Sequence, residues 1–499
     1  MSTEQADSRR GAPDASWLAR AGRRVVIIGG GITGLAAAWQ LQMDAERRGL
    51  DVRCAVLERS DRWGGKIFSE QVTGYGDVPL TLEAGADAFL TRKPWALALA
   101  RELGLADRLC GVNRANSRTF VLHRGRPTPI PEGVQLLAPT RVWPFVRSPL
   151  FSPWGKLRMG LDLLLPPRRD QSDESLAAFA RRRFGAEALR TLAEPMLAGV
   201  YNAVPAEQSI LATFPQYPAL ERQYGSVILG LRAAARARAR EPVTEHMPPF
   251  VSFDTGAQAL VDALIARLTG DLRLRCAVAD VERDAAGGYR VRLADGDELR
   301  ADAVIVATLA HDAAGLLRAV APAAAEGLST LRHASIGTMY LAYPRDAVPH
   351  PLDGFGLVIP SAEGRRIDGM TWTSSKWTGR APADRALLRV FFGGPHTRDM
   401  MDLGDDELLA VVRDELVATL RVRVAPLFHR VYRWLDGYPQ YDVGHLERVA
   451  AIERALPPEV RVTGSSYHGV GVPDCVRQGR EAAERIMALL AAPRASEVS

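Results

Sequence analysis

Four β-branched residues, Val25-Val26-Ile27-Ile28, run directly into Gly29-Gly30-Gly31-Ile32-Thr33-Gly34, and an Ala- and Leu-rich stretch fills residues 35–47. A continuous β-branched run closed by glycine reads as a strand buried on both faces, the habit of parallel sheets. Residues 35–47 predict a helix. Residues 52–57 predict a second apolar strand, ending at Glu58. Strand, glycine turn, helix and parallel strand make a βαβ unit, so the chain is expected to be an α/β protein built on a parallel sheet.

Each glycine in the turn has a mechanical reason. Gly29 permits the tight turn, Gly31 lets backbone approach a pyrophosphate, and Gly34 lets helix and strand pack closely. The helix start offers free N–H groups and a positive dipole end to phosphates. Glu58, 24 residues after Gly34, can accept hydrogen bonds from ribose hydroxyls. The pattern is the Rossmann dinucleotide fingerprint, which FAD and NAD share. Downstream, Arg62-Trp63-Gly64-Gly65-Lys66 adds a glycine pair with flanking cations. Residues 275–281, 289–293 and 303–307 read as strands, with a turn at Asp295-Gly296. Near the C-terminus a strand ends at Arg461-Val462-Thr463-Gly464. Gly469-Val470-Gly471-Val472-Pro473 then opens a helix reaching about residue 490, with Pro473 suited to its first turn. A second glycine-rich helix start can meet the far end of a long cofactor, which implies a discontinuous domain.

Length and composition add exclusions. The 499 residues are 47% hydrophobic and 24% charged, with net charge +5. This is ordinary globular composition, too weakly basic to argue for nucleic acid. Cys54, Cys110, Cys276 and Cys475 form no CxxC pair, so neither a disulfide framework nor a metal site is expected, and a reducing cytoplasm is. Residues 1–22 read as a disordered tail without a signal-peptide core. The longest apolar stretch, residues 25–39, is broken by glycine and falls short of a membrane span.

Two insertions separate the cofactor segments, 23–110, 251–330 and 441–493. Residues 111–208 are expected to be mostly helical. Within them, residues 141–170 carry Arg141, Arg147, Lys156, Arg158, Arg168 and Arg169 against Asp162 and Asp170, interleaved with Trp143, Phe145, Phe151, Trp154 and Leu163-Leu164-Leu165. That mixture suits a face resting on an anionic bilayer; aromatics packed in a core beneath a solvated basic face are the plainer reading. Residues 209–250 and 331–440 are expected to form a sheet-based substrate domain, with a strand over 387–392 and a helix over 405–420. Residues 232–240 alternate Ala and Arg, as on the exposed end of a helix.

These pieces together resemble the flavin-dependent porphyrinogen oxidases of haem synthesis, within the wider flavin amine oxidase group. The marks are residues 25–35; Gly64-Gly65-Lys66-Ile67; Ala88-Phe89-Leu90-Thr91-Arg92-Lys93; Gly199-Val200-Tyr201; Tyr224-Gly225-Ser226; Pro439-Gln440-Tyr441 with Gly444-His445; and Gly469-Val470-Gly471-Val472-Pro473-Asp474-Cys475. The last, with Phe89-Leu90-Thr91-Arg92-Lys93, is similar to the bacterial coproporphyrinogen III oxidase branch. Leu309 stands where many relatives have proline. The resemblance implies FAD contacts from Gly29, Gly30, Gly31, Ile32, Thr33, Gly34, Glu58, Arg59, Gly65, Lys66, Gly85, Ala86, Asp87, Ala88, Val278, Trp434, Val470, Gly471 and Val472. Val278 would offer backbone to the adenine, and Trp434 would lie near the flavin ring.

The implied reaction takes six electrons and six protons from coproporphyrinogen III, gives coproporphyrin III, and passes the electrons to O2 with release of H2O2. Protoporphyrinogen IX as substrate, an amine oxidase and a flavin-retaining porphyrin carrier are the other readings. A four-propionate substrate requires cations, and the resemblance places Lys93, beside Arg92, at the cavity. No side chain stands out as a catalytic acid or base; His445 and His468 are expected to be structural. The product would be handed to a ferrochelatase, in the cytoplasm or on the inner face of the membrane.

Overall fold

The computed structural model describes residues 22–135, 138–196, 202–238 and 247–491. The tail expected over residues 1–22 lies outside these except for its last residue, as do Gly199-Val200-Tyr201 and the last two residues of the Ala/Arg alternation.

The β-branched run forms the strand Arg23–Ile28, buried from Val25 onward, at the centre of a five-stranded parallel sheet. The order is Asp271–Arg273, Val52–Leu57, Arg23–Ile28, Ala303–Val306, Val460–Val462. Strands from the beginning, middle and end of the chain thus share one sheet, as expected of a discontinuous domain. The helix Ile32–Arg48 covers one face and packs against the C-terminal helix Val472–Leu490 so closely that a Cβ on Gly479 would lie 2.2 Å from the Thr33 carbonyl oxygen. The edge strand Asp271–Arg273 was not legible: three residues, two of them charged, carry no apolar run.

A second, seven-stranded sheet has the order Phe428–Pro439, His333–Pro344, Arg385–Phe392, Gly369–Trp372, Gly356–Val358, Thr119–His123, Arg126–Pro129. One face packs on the helix Asp405–Leu420, through Leu388, Val390, Phe392, Leu408, Val412 and Leu416. The other carries Tyr340 and Leu387 against Leu80 and Leu82 of the cofactor half.

Two expectations are corrected here. The strands Thr119–His123 and Arg126–Pro129 come from the segment expected to be helical. The first, with Phe120, Val121 and Leu122 all buried, pairs in parallel with Gly356–Val358, and the second forms the edge of the sheet beside it. The helices Ile210–Thr213, Gln216–Tyr224 and Val227–Arg238 do not open the sheet domain. Ile210, Tyr217, Val227 and Leu231 share a core with Phe145, Phe151, Phe179 and Phe184, so residues 209–238 belong with the helices of 142–196. Among the described residues no helix is long and apolar enough to cross a membrane.

Candidate functional site

The glycine turn at Gly29 and the carboxylate of Glu58 both follow the C-terminal ends of neighbouring parallel strands, Arg23–Ile28 and Val52–Leu57. Gly29 has φ +111°, and a Cβ there would meet the Ala307 carbonyl oxygen at 2.8 Å; a Cβ on Gly34 would strike the Gly29 carbonyl at 2.0 Å. Both positions therefore exclude a side chain. Gly31 differs. It is the N-cap of Ile32–Arg48 with no side-chain capping bond, and its Cβ would meet only the Gly65 Cα, at 4.0 Å. The second glycine turn lies opposite, tied on by the Gly64 N–H to the Gly30 carbonyl at 2.9 Å. Exposed backbone on both sides and an uncapped helix N-terminus make a cradle for an anion.

Glu58 sits at one end of the cradle. Its buried carboxylate accepts from the Gly30 N–H at 2.7 Å and the Ser60 N–H at 2.8 Å. Each oxygen keeps a lone pair for a ribose hydroxyl. The N–H groups of Arg275 and Cys276 bond the carbonyls of Ser60 and Glu58, bringing the strand start at Val278 alongside. Arg59 points outward to Asp312 at 3.2 Å.

Lys66 joins three segments. Its ammonium donates to the Gly437 carbonyl and lies 3.3 Å from Ser465 Oγ, and burial lowers its pKa to about 8. From the C-terminal side, Gly471 is the uncapped N-cap of Val472–Leu490. Cys475, in the first turn of Val472–Leu490, hydrogen-bonds Thr33, in the first turn of Ile32–Arg48, so the two helix N-termini lie side by side. The buried hydroxyl of Thr463, at the end of Val460–Val462, has no hydrogen-bond partner among the described residues. Such an atom calls for a partner. An open Gly31, two uncapped helix ends and this orphaned hydroxyl fit a long phosphate-bearing group.

The turn Gly85-Ala86-Asp87-Ala88 is held from behind by the seven-stranded sheet. Trp434 Nε1 donates to the Ala84 carbonyl at 2.8 Å and Arg389 Nη2 to the Gly85 carbonyl at 2.8 Å. Lys376 Nζ lies 2.6 Å from Asp87 Oδ2. Lys93 Nζ lies 2.6 Å from Asp474 Oδ2, in the first turn of the C-terminal helix, while Arg92 is exposed. Asp474, Lys376 and Arg389 were not foreseen as site residues. Asp474 stood in a quoted motif without a role; the other two carried no local signal. His445 Nε2 contacts the Tyr467 carbonyl at 2.8 Å and stacks on Tyr441, and His468 pairs with Glu453 at 2.8 Å. Both are structural contacts. Among the described residues no group of three or more His, Cys, Asp or Glu side chains is placed to hold a metal ion.

Residues 32–487 match the family model of the flavin-containing amine oxidoreductases. The chain belongs to this family. The family implies a flavin cofactor, and the open backbone at Gly31 leaves room for such a group. Among relatives of this flavin-containing oxidoreductase, coproporphyrinogen III oxidase of Bacillus subtilis (strain 168) is 34% identical, the match covering 92% of this chain and 97% of that protein. Coproporphyrinogen III oxidase of Propionibacterium freudenreichii subsp. freudenreichii is 36% identical over 97% of this chain and 94% of its own length. The crystal structure of a candidate protoporphyrinogen oxidase from Exiguobacterium sp. 255-15 superposes with a TM-score of 0.82 at 29% identity, covering 94% of this chain and 99% of that one.

Proposed function

We propose that this flavin-containing oxidoreductase binds FAD and oxidises coproporphyrinogen III to coproporphyrin III in haem biosynthesis. Six electrons and six protons leave the substrate, and three O2 become three H2O2. The observation that carries this reading is the match to proteins of that name across nearly the whole of both chains. Bound FAD supplies the redox chemistry. Glu58 faces the ribose, the backbone at Gly31 and Gly65 faces the pyrophosphate, and the helix end at Val470, Gly471 and Val472 faces the flavin end. Arg92 and Lys93 offer charge to substrate propionates at the mouth. No side chain is assigned as a catalytic base.

The helical part supports a second, membrane-facing role. Phe145 and Phe151 turn into the core, but Trp143, Trp154 and Leu164 are 71%, 79% and 80% exposed, with Val142, Val146 and Leu157 exposed beside them. Large apolar side chains left exposed on two successive short helices, Val142–Arg147 and Pro153–Gly160, support an interaction surface. Arg147 and Arg169 are exposed beside it, so the occupant is an anionic lipid surface and the enzyme a peripheral one.

Anaerobic mixing tests the enzyme reading. Coproporphyrinogen III should bleach the yellow flavin as porphyrin fluorescence appears, and air should restore the colour with H2O2. A flavin that stays oxidised while porphyrinogen binds would make the chain a carrier.

A further inference from the structure

Arg389 is a buried guanidinium, 4% exposed, on the face of Arg385–Phe392 turned toward the cofactor half. It lies over the rings of Tyr340 and Phe391, at 5.5 and 4.9 Å from their centroids. Its Nη2 donates to the Gly85 carbonyl at 2.8 Å and reaches the Ala84 carbonyl at 3.4 Å. Its Nε has no partner among the described residues, and neither has its charge a carboxylate partner there. Asp87 feels its charge but is shared with Lys376, so the neighbouring carboxylates do not balance it alone. Asp87 is taken by Lys376 at 2.6 Å, and Glu83 by Arg380 at 2.9 Å. Burial pushes the Asp87 carboxyl up, but Lys376 and Arg389 outweigh it and hold it at about 2. The turn 84–88 is thus backed by one positive charge more than it has negative ones. A buried charge without a counterion costs several kcal/mol, so its persistence calls for a use.

We propose that Arg389 is a positioning residue for the bound flavin: from the substrate sheet it fixes the 85–88 turn and, with Lys376, keeps an uncompensated positive charge behind it that raises the flavin's midpoint potential. The inference rests on reading residues 85–88 as flavin contacts. A fixed cation in a low-dielectric surrounding favours the electron-rich reduced form of a nearby cofactor. Because both cations come from the sheet that carries the substrate, the electron affinity of the cofactor would be set by the domain that presents the reductant.

The test measures the FAD dissociation constant and the midpoint potential of the bound flavin, against reference dyes, in the full chain and in Arg389→Met, Arg389→Lys and Lys376→Met. Arg389→Met should retain flavin and favour the oxidised form about tenfold more than wild type, about 30 mV for a two-electron couple. Lys376→Met should shift the same way, and Arg389→Lys should recover most of the loss. A merely structural brace would weaken FAD binding without moving the potential, and that result overturns the proposal. If Arg389→Met does not fold, Lys376→Met and Arg389→Lys decide. A wild-type chain that takes up no flavin removes the cofactor reading together with this one. A loaded wild type whose potential ignores both cations removes this one alone.

Discussion

Lys93 and Asp474 are 381 residues apart in sequence and 2.6 Å apart in space. Asp474 is 6% exposed and lies in the first turn of the helix Val472–Leu490. The lysine read from sequence as a substrate cation is thus already held by a buried carboxylate. Lys93→Ala should raise KM for coproporphyrinogen III with FAD content unchanged, lowering kcat/KM about ten- to a hundredfold, from ~1.5–3 kcal/mol for a charge-assisted hydrogen bond. Asp474→Asn frees the lysine and should change KM only a few-fold. Equal losses in both variants would mean that Lys93 acts only by holding Asp474. Steady-state kinetics on the two single variants and the double variant distinguish these outcomes.

Gly31→Glu should give a folded, colourless protein. The position has room for a Cβ, the nearest atom being 4.0 Å away, so the fold survives, while a carboxylate now stands in the pyrophosphate path at a helix N-terminus. Circular dichroism should match wild type while FAD absorbance is absent. A yellow Gly31→Glu protein would move the cofactor elsewhere.

What could be read before the structure follows from range. The strand Arg23–Ile28, the helix Asp405–Leu420 and the strand Tyr289–Leu293 stand where periodicity puts them, because each is specified by its own residues. The pairing of Thr119–His123 with Gly356–Val358 depends on a partner more than 200 residues away, and a pentapeptide with three apolar residues in a row does not say which sheet it joins. The helices of 210–238 likewise show an apolar face without naming its partner. At the site, the glycine turns were legible because backbone geometry demands glycine at Gly29 and Gly34. Arg389 and Lys376 were not, since each is a cation from the half built on the seven-stranded sheet whose partner lies in the cofactor half, and Asp474 was not, since its partner Lys93 is 381 residues away in sequence.

His445 should make the protein acid-sensitive. It is fully buried, and burial holds its imidazole at about 4 against 6.5 when unfolded. The unfolded chain therefore binds more protons between these values, and stability falls as pH drops through that window. The expected loss from this residue is about 2 kcal/mol at pH 5. His445→Gln should flatten the dependence between pH 6.5 and 4, read from urea midpoints at pH 7 and pH 5. Parallel curves for wild type and variant would contradict it.

The exposed tryptophans should carry membrane association. Wild type should co-sediment with vesicles containing anionic lipid and less so as salt rises, with about 1 kcal/mol per basic residue near the surface. Trp143→Glu with Trp154→Glu should abolish this without loss of activity on dissolved substrate. Equal, poor sedimentation with neutral and anionic vesicles at low salt would leave the face merely solvated.

The central claim is the substrate. Coproporphyrinogen III carries propionates where protoporphyrinogen IX has two vinyl groups, and two stranded carboxylates would each cost several kcal/mol in a closed apolar cavity. If Arg92 and Lys93 stand at the mouth, as proposed, they favour the four-carboxylate macrocycle. The measurement is kcat/KM for the two anaerobically prepared porphyrinogens, followed by porphyrin fluorescence in air. A higher value for coproporphyrinogen III, with protoporphyrinogen IX still oxidised, is the expected result; a clear preference for protoporphyrinogen IX would contradict it.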